Sequence, residues 1–265
     1  MMNNNKTDEA YFSDQKIILK PSSPDGRLRR DDVKMYEILF QNVLDTFFYI
    51  KDISGLWISC NAASLELLNL TKISEVIGIK EDNFFPKQIA EDIRKDDLNI
   101  LNNAQSVLNR IELIANQYGE LVWVNTNKLP IFDDAGKIIG LVGMTKLIAE
   151  ENTVPQKFSM LNKTIKFINA NLANVITISD LADLNKLSES QFRRNFQREL
   201  GVSPQQFILR ARLQASAHLL RSRSKSISVV AFDCGFSDQS YFSRQFKKFF
   251  GKTPKEYQKL WYSRF

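Results

Sequence analysis

The feature that most constrains this 265-residue chain is an internal repeat, in which residues 178 to 207 recur in pattern at residues 227 to 257. With a shift of 49, Ile178, Ser179, Ala182 and Ser188 meet Ile227, Ser228, Ala231 and Ser237, while Leu181 and Leu187 face Val230 and Phe236. One residue is added in the second turn. Beyond it a shift of 50 pairs Ser190, Phe192, Arg194, Phe196, Gly201 and Pro204 with Ser240, Phe242, Arg244, Phe246, Gly251 and Pro254. Self-similarity held in register marks a duplicated supersecondary unit, and two copies make a tandem pair.

Each copy has the pattern of two short helices around a tight turn. In the first, Ser179 is a candidate cap for a helix whose apolar face is Leu181, Ala182 and Leu184; Asn185 and Lys186 break it. Leu187 plugs the turn, and Ser188 caps a second helix running to about Leu200, with Phe192 and Phe196 on one face and Gly201 as its stop. In the second copy Ser228 is the first candidate cap, Gly235 supplies the turn, Phe236 plugs it, and either Ser237 or Asp238 caps the next helix. There Phe242, Phe246 and either Phe249 or Phe250 face inward. The outward faces carry Ser190, Arg193, Arg194 and Gln197 in one copy, and Gln239, Ser240, Ser243, Arg244, Lys247 and Lys248 in the other. Gln and Arg side chains read adenine and guanine edges by paired hydrogen bonds, and a recognition helix presents its N-terminal residues to the major groove. The run from Pro204 to about Arg221 has no internal Gly or Pro and reads as a helix of about 27 Å at 1.5 Å per residue. Such a strut holds two reading helices near the ~34 Å spacing of successive major-groove faces.

Charge agrees with a phosphate-bearing partner. From Gln156 to Phe265 there are 19 Lys and Arg against 7 Asp and Glu, a net of +12, and the remainder of the chain is −6. Affinity for DNA through such a surface falls steeply with salt. The two cysteines, Cys60 and Cys234, fall in different regions and suggest a reducing cytosol. The polar, Asn-rich N-terminus lacks a signal peptide, and no apolar run approaches the ~20 residues of a membrane span. A cytoplasmic protein without membrane association is expected.

The stretch from about Phe158 to Phe265, above all "ISVVAFDCGFSDQSYFSRQFKKFFGKTPKEY" with "LRARLQASAHLL" before it, resembles the DNA-binding domain of AraC/XylS-type transcription regulators. The resemblance implies seven helices forming two helix-turn-helix units joined by a linker helix, and binding to double-stranded promoter DNA with recruitment or blocking of RNA polymerase. Carried onto this chain, its base-reading positions fall at Ser190, Arg193 and Arg194, and at Gln239, Ser240, Ser243 and Arg244. Small Ser at 190 and 243 departs from the bulkier residues many members use there.

The N-terminal half is read in four parts. Residues 1–32 are expected to be a mostly flexible segment, although "KIILK" at 16 to 20 has the composition of a strand. Residues 33–148 are expected to fold as one domain, 149–157 to be a linker, and 158–265 to be the DNA-binding domain. Within 33–148 a helix at about 33 to 45 precedes a hairpin made by "FFYIKD" and "LWISC". Helical segments beginning with "NAASLELLNL" follow, and then strands at about 107–116, 121–129 and 138–147. This α+β order, with "YIKDISGLWISCNAAS" and "DDAGKIIGLVGM", resembles a PAS sensor domain. The resemblance implies a five-stranded antiparallel sheet with helices over one face, a ligand pocket, and frequent homodimerisation. It places Phe48, Trp57, Leu67, Trp123 and Asn125 on the pocket wall. The cofactor is unknown. Haem is disfavoured because the sole histidine, His218, lies outside this domain, and flavin because Cys60 lacks the reactive-cysteine context; a small organic effector or no ligand at all remains. Phe192, Phe196, Phe242 and Phe246 read as core, His218 as structural, and no metal-ligating or catalytic constellation is present, so an enzyme is not expected. The expected function is a sequence-specific transcription regulator controlled by its N-terminal domain. The alternative is the same regulator with an N-terminal domain that only dimerises.

Overall fold

A computed structural model describes residues 16–148, 158–221 and 225–262. The chain divides into two compact units. The first comprises Met1–Phe85, Ile89–Glu112 and Val124–Leu147, and the second Pro86–Gln88, Leu113–Trp123 and Ile148–Phe265. The linker expected at 149–157, the first fifteen residues, and residues 222–224 of the basic "RSRSK" cluster lie outside the described residues. Among the described residues no helix is long and apolar enough to cross a membrane.

Most of the first unit is a mixed sheet, with residues 113–115 of β4 and 121–123 of β5 counted in the second: β1 (Ile17–Ile18), β2 (Thr46–Asp52), β3 (Trp57–Cys60), β4 (Val107–Ala115), β5 (Leu121–Phe132) and β6 (Ile138–Leu147). Their order is β1-β5-β6-β2-β3, with β4 also on β5. Six strands stand where five antiparallel ones were expected. The addition is β1, which runs parallel to β5 with Ile17 opposite Ile131, while β2 and β6 pair antiparallel with Ile50 opposite Val142.

The segment expected to be flexible up to residue 32 therefore contributes structure from Lys16 onward, and Leu28 and Val33 are core residues packed with Phe48, Ile50, Ile131 and Ile139. Helix α1 (Arg30–Phe40) starts earlier than expected because the Asp32 carboxylate accepts hydrogen bonds from the backbone N–H groups of Arg29 and Ser22, each at 2.8 Å. It also ends earlier. The buried Asn61 amide donates to the carbonyl oxygens of Phe40, Val43 and Thr46, which holds that stretch out of helical register. The same side chain accepts from the N–H of Ser64 and so caps α2 (Ala62–Leu67).

Alternation along β2 sends Phe48 and Ile50 to one face of the sheet and Tyr49 and Lys51 to the other. On the second face the Lys51 ammonium, 1% exposed, is ion-paired with Glu81 and with Asp97 of helix α3 (Lys87–Asn103). Lys128 on β5 reaches the other oxygen of Asp97 at 2.7 Å, and the Trp57 indole N–H donates to Glu81 at 3.2 Å. Four charges buried together are tolerated because every one faces an opposite charge at hydrogen-bond distance. Burial pushes the Asp97 carboxyl up, but the ammonium groups of Lys51 and Lys128 outweigh it and hold the carboxyl below its ordinary range.

The second unit contains seven helices among the described residues: α4 (Ser159–Ala170), α5 (Ile178–Leu184), α6 (Glu189–Leu200), α7 (Pro204–Arg221), α8 (Ile227–Asp233), α9 (Gln239–Phe250) and α10 (Pro254–Tyr262). Phe192, Phe196, Phe242 and Phe246 are fully buried, in keeping with their four-residue spacing. Arg221 closes α7 by lying 4.4 Å over the Trp261 ring and donating to the Tyr257 hydroxyl.

The charge cluster gives a direct test of how the first unit is held. Lys51→Met leaves Glu81 buried without its cation and should cost about 3–5 kcal/mol in urea denaturation, whereas Lys51→Met combined with Glu81→Met should recover much of that loss. Because Asp97 is held below its ordinary value when folded, its contribution is present at neutral pH and should fade as pH falls below about 4.

Candidate nucleic-acid interface

Each repeat builds its turn from local hydrogen bonds. Helix α5 is capped by Thr177, whose hydroxyl accepts from the Asp180 N–H at 3.1 Å while the Asp180 carboxylate accepts from the Thr177 N–H at 2.9 Å. This corrects the expectation of Ser179, which lies inside the first turn. The equivalent correction holds for α8, where Ser226 and not Ser228 is the cap. Thr177 and Ser226 are 49 residues apart, so the true caps keep the repeat. After α5 the chain turns through Lys186 at φ +55° and after α8 through Gly235 at φ +79°; the next residue in each closes the turn, Leu187 N–H donating to Ala182 and Phe236 N–H to Ala231, both at 3.0 Å.

The recognition helices follow. Ser188 caps α6 and Asp238 caps α9, so Asp238 takes the role of Ser188 and Ser237 is the added residue. Gly201 and Gly251 end the two helices in the left-handed conformation, donating to Gln197 and Lys247. That conformation carries little penalty only for glycine.

With the helices fixed this way, the expected reading residues fall on their solvent sides. Ser190, Arg193 and Arg194 are exposed on α6; Gln239, Ser240 and Arg244 are exposed on α9, and Ser243 is half-buried. Arg193 leans back to Glu189 at 3.3 Å. Arg194 and Arg244 have no hydrogen-bond or ion-pair partner among the described residues. Two extended guanidinium groups thus stand at equivalent points of the repeat, each one turn or so past a helix N-terminus. Tyr241, 43% exposed beside Ser240, belongs to the same surface and was not among the residues expected there. Its signal was an aromatic residue off the Phe stripe. An exposed pair on α8, Val229 and Phe232, lies outside the reading face.

The five residues expected on a ligand wall are not gathered in one place. Phe48 lines a cavity of about 400 Å³ in the first unit, and Asn125 lies on the same sheet face, hydrogen-bonded by Asn127. Trp57 is on the opposite face, 4.9 Å from the Tyr49 ring. Leu67 is half-buried at the end of α2, and Trp123 belongs to the second unit, 5.1 Å from the Phe158 ring. Cys60 is buried, and burial pushes its thiol up to about 12, so it is a neutral thiol at physiological pH.

Comparisons with known proteins follow the same division. Residues 181–260 match the model of a helix-turn-helix domain, and residues 41–152 match that of a PAS fold. The chain is 36% identical over 105 residues to the probable transcriptional regulator LumQ of Photobacterium leiognathi, covering 39% of this chain and 42% of the relative. It is 32% identical over 119 residues to the transcriptional activator RhaS of Escherichia fergusonii, covering 45% and 41%. The chain thus spans about two fifths of the length of the curated relatives it matches. Among solved structures, a probable AraC family transcriptional regulator from Rhodopseudomonas palustris is 32% identical over 38% of this chain and 94% of its own, with a TM-score of 0.36. The C-terminal region is a DNA-binding domain of the helix-turn-helix class. That domain is of the AraC type, like those of the regulators it matches, and the N-terminal region carries a PAS fold.

The two turns differ in a way that stability measurements should register. A side chain at Gly235 would overlap the Leu172 carbonyl oxygen and the Arg212 guanidinium, on top of its positive φ. Gly235→Ala should therefore cost more than about 2 kcal/mol. Lys186→Gly, which relieves a non-glycine residue at φ +55°, should instead leave stability unchanged or raise it by up to about 1 kcal/mol in thermal or chemical denaturation.

Proposed function

We propose that the protein is a sequence-specific transcription regulator that grips two consecutive major grooves of promoter DNA, one with α6 and one with α9, and whose PAS domain sets its activity in response to a signal. The observation that carries this reading is the pair of unpartnered arginines, Arg194 and Arg244, at matching positions of two recognition helices in the most basic part of the chain. Arg193, Ser190, Gln239, Ser240 and Ser243 complete the reading faces. The scaffold is shared and the remaining outward side chains differ, so the operator is asymmetric, with two unlike half-elements about one helical turn apart. Helix α7, 18 residues long, supplies the spacing. RNA polymerase is the partner such binding would recruit or exclude.

One observation favours a dimerising role for the N-terminal domain. Met35, Ile38 and Leu39 are each more than 60% exposed on α1, a stripe at helical spacing opposite the buried Val33 and the half-buried Tyr36. A helix apolar on both sides ordinarily has a second partner.

Binding of the full chain to DNA fragments upstream of its own and neighbouring genes, measured against random DNA at moderate salt, tests the main reading; equal affinity for both would refute it. Arg194→Ala and Arg244→Ala should each weaken specific binding by about 1–3 kcal/mol and relax the base preference in one half-element only. Unchanged binding motifs in both variants would remove them as base readers.

A further inference from the structure

The face of the PAS sheet that carries Lys51 is closed by the Lys51, Glu81, Asp97 and Lys128 cluster and by Trp57. A cavity lies on the other face. There α1 and β1 roof only part of the sheet and leave a cavity of about 400 Å³. Its floor is Phe48, Ile50, Leu129 and Val142, and its lining contains no Lys, Arg, His, Asp or Glu. The volume falls within the range of small-molecule sites, and at interior packing density it takes a molecule on the order of 15 non-hydrogen atoms.

Three polar residues line it, and of these Asn127 is engaged, accepting from the Asn109 backbone N–H and donating to Asn125. Tyr36, half-buried, and Asn109, exposed, also line the cavity, and the Tyr36 hydroxyl and the Asn109 side-chain amide have no hydrogen-bond partner among the described residues. Asn109 is itself unusual. It sits inside β4 at φ +51°, held there by its backbone N–H donating to the Asn127 side chain at 2.9 Å. A non-glycine residue kept in the left-handed region within a strand is the kind of local strain that accompanies binding sites. Here it falls at a residue that lines a largely apolar cavity.

From this we infer that the outer face of the PAS sheet, beneath α1, is a binding site for a small, uncharged, largely apolar molecule with one hydrogen-bonding group, which Asn109 and Tyr36 receive. The charge is excluded because an ion in this cavity would lose its water and meet no opposite charge. The site deepens the sensing part of the proposed function and rests on it only for the consequence of binding, not for binding itself. It also shares its roof, α1, with the exposed stripe of Met35, Ile38 and Leu39, so occupancy and pairing of two chains act on one helix.

The test uses the full chain and two fluorescent probes with one skeleton, neutral N-phenyl-1-naphthylamine and anionic 1-anilinonaphthalene-8-sulfonate. The neutral probe should bind saturably, and Val142→Phe and Leu108→Phe, which fill the cavity from its floor and its rim, should each weaken it by about tenfold or more. The part of the anionic probe's signal sensitive to these substitutions should be at least about tenfold weaker in affinity. Thermal unfolding and DNA binding of both variants establish that they fold; if Val142→Phe does not, Leu108→Phe at the half-buried rim decides. Absence of saturable neutral-probe binding, or binding indifferent to both substitutions, overturns the inference. So does a dimer in sedimentation that both substitutions dissociate and the probe does not disturb, which would assign the groove to a second copy. DNA binding that fails in the unsubstituted chain would strike the regulator reading and leave the cavity result standing.

Discussion

The ammonium group of Lys51 decides how the first unit is arranged. It sits on a central strand, over the rings of Tyr49 and Trp57, and the carboxylates of Glu81 and Asp97 supply the opposite charge that makes that position tolerable. To reach it, the short 3-10 turn bearing Glu81 and the helix bearing Asp97 must both close over the sheet, and Asp97 then brings in Lys128 from β5. The cluster thus ties two strands, a turn and a helix to one point. It occupies space between sheet and helices on its own face, while the cavity beneath α1 lies on the opposite one.

In the second unit the organising constraint is local and occurs twice. A hydroxyl cap, a left-handed residue in the turn, an apolar plug, a second cap and a terminal glycine are each satisfied within a few residues. The phenylalanine pairs then need only one orientation to be buried, and the outward side chains are left to vary. Constancy inside and difference outside are what a duplicated unit requires if its copies are to meet different base pairs.

That local character is why the second unit was legible in the sequence. The repeat, the glycine stops and the phenylalanine stripes located every helix from α5 to α9, and the outward faces of α6 and α9 carry the residues expected on them. The caps at Thr177 and Ser226 were misplaced by two residues because serine at 179 and 228 is an equally good cap by type; the Thr177 to Asp180 spacing of a capping box was the better signal. The first unit was less legible. Its strand order could be read from turns and alternation, and "KIILK" had the composition of a strand. However, pairing of Ile17 with Ile131 joins positions more than a hundred residues apart, and no local pattern announces it. The Lys51 cluster likewise joins residues 30 and 46 positions away. Its only trace was a lysine in a run of aromatics. The five residues expected on one ligand wall were drawn from a resemblance in strand order, which does not say which sheet face a given domain leaves open.

The single residue inserted before the second recognition helix bears on how the two copies could be exchanged. Cap to cap, Thr177 to Ser188 is eleven residues and Ser226 to Asp238 is twelve, with Ser237 the extra one. A reading helix is a transferable cassette only if it is cut at its own cap. Joined at a constant distance from the first cap, a transplanted helix would enter its new site rotated by about 100° and turn a different row of side chains toward the groove. The capping residue, not the count along the chain, is the coordinate in which these two units are interchangeable.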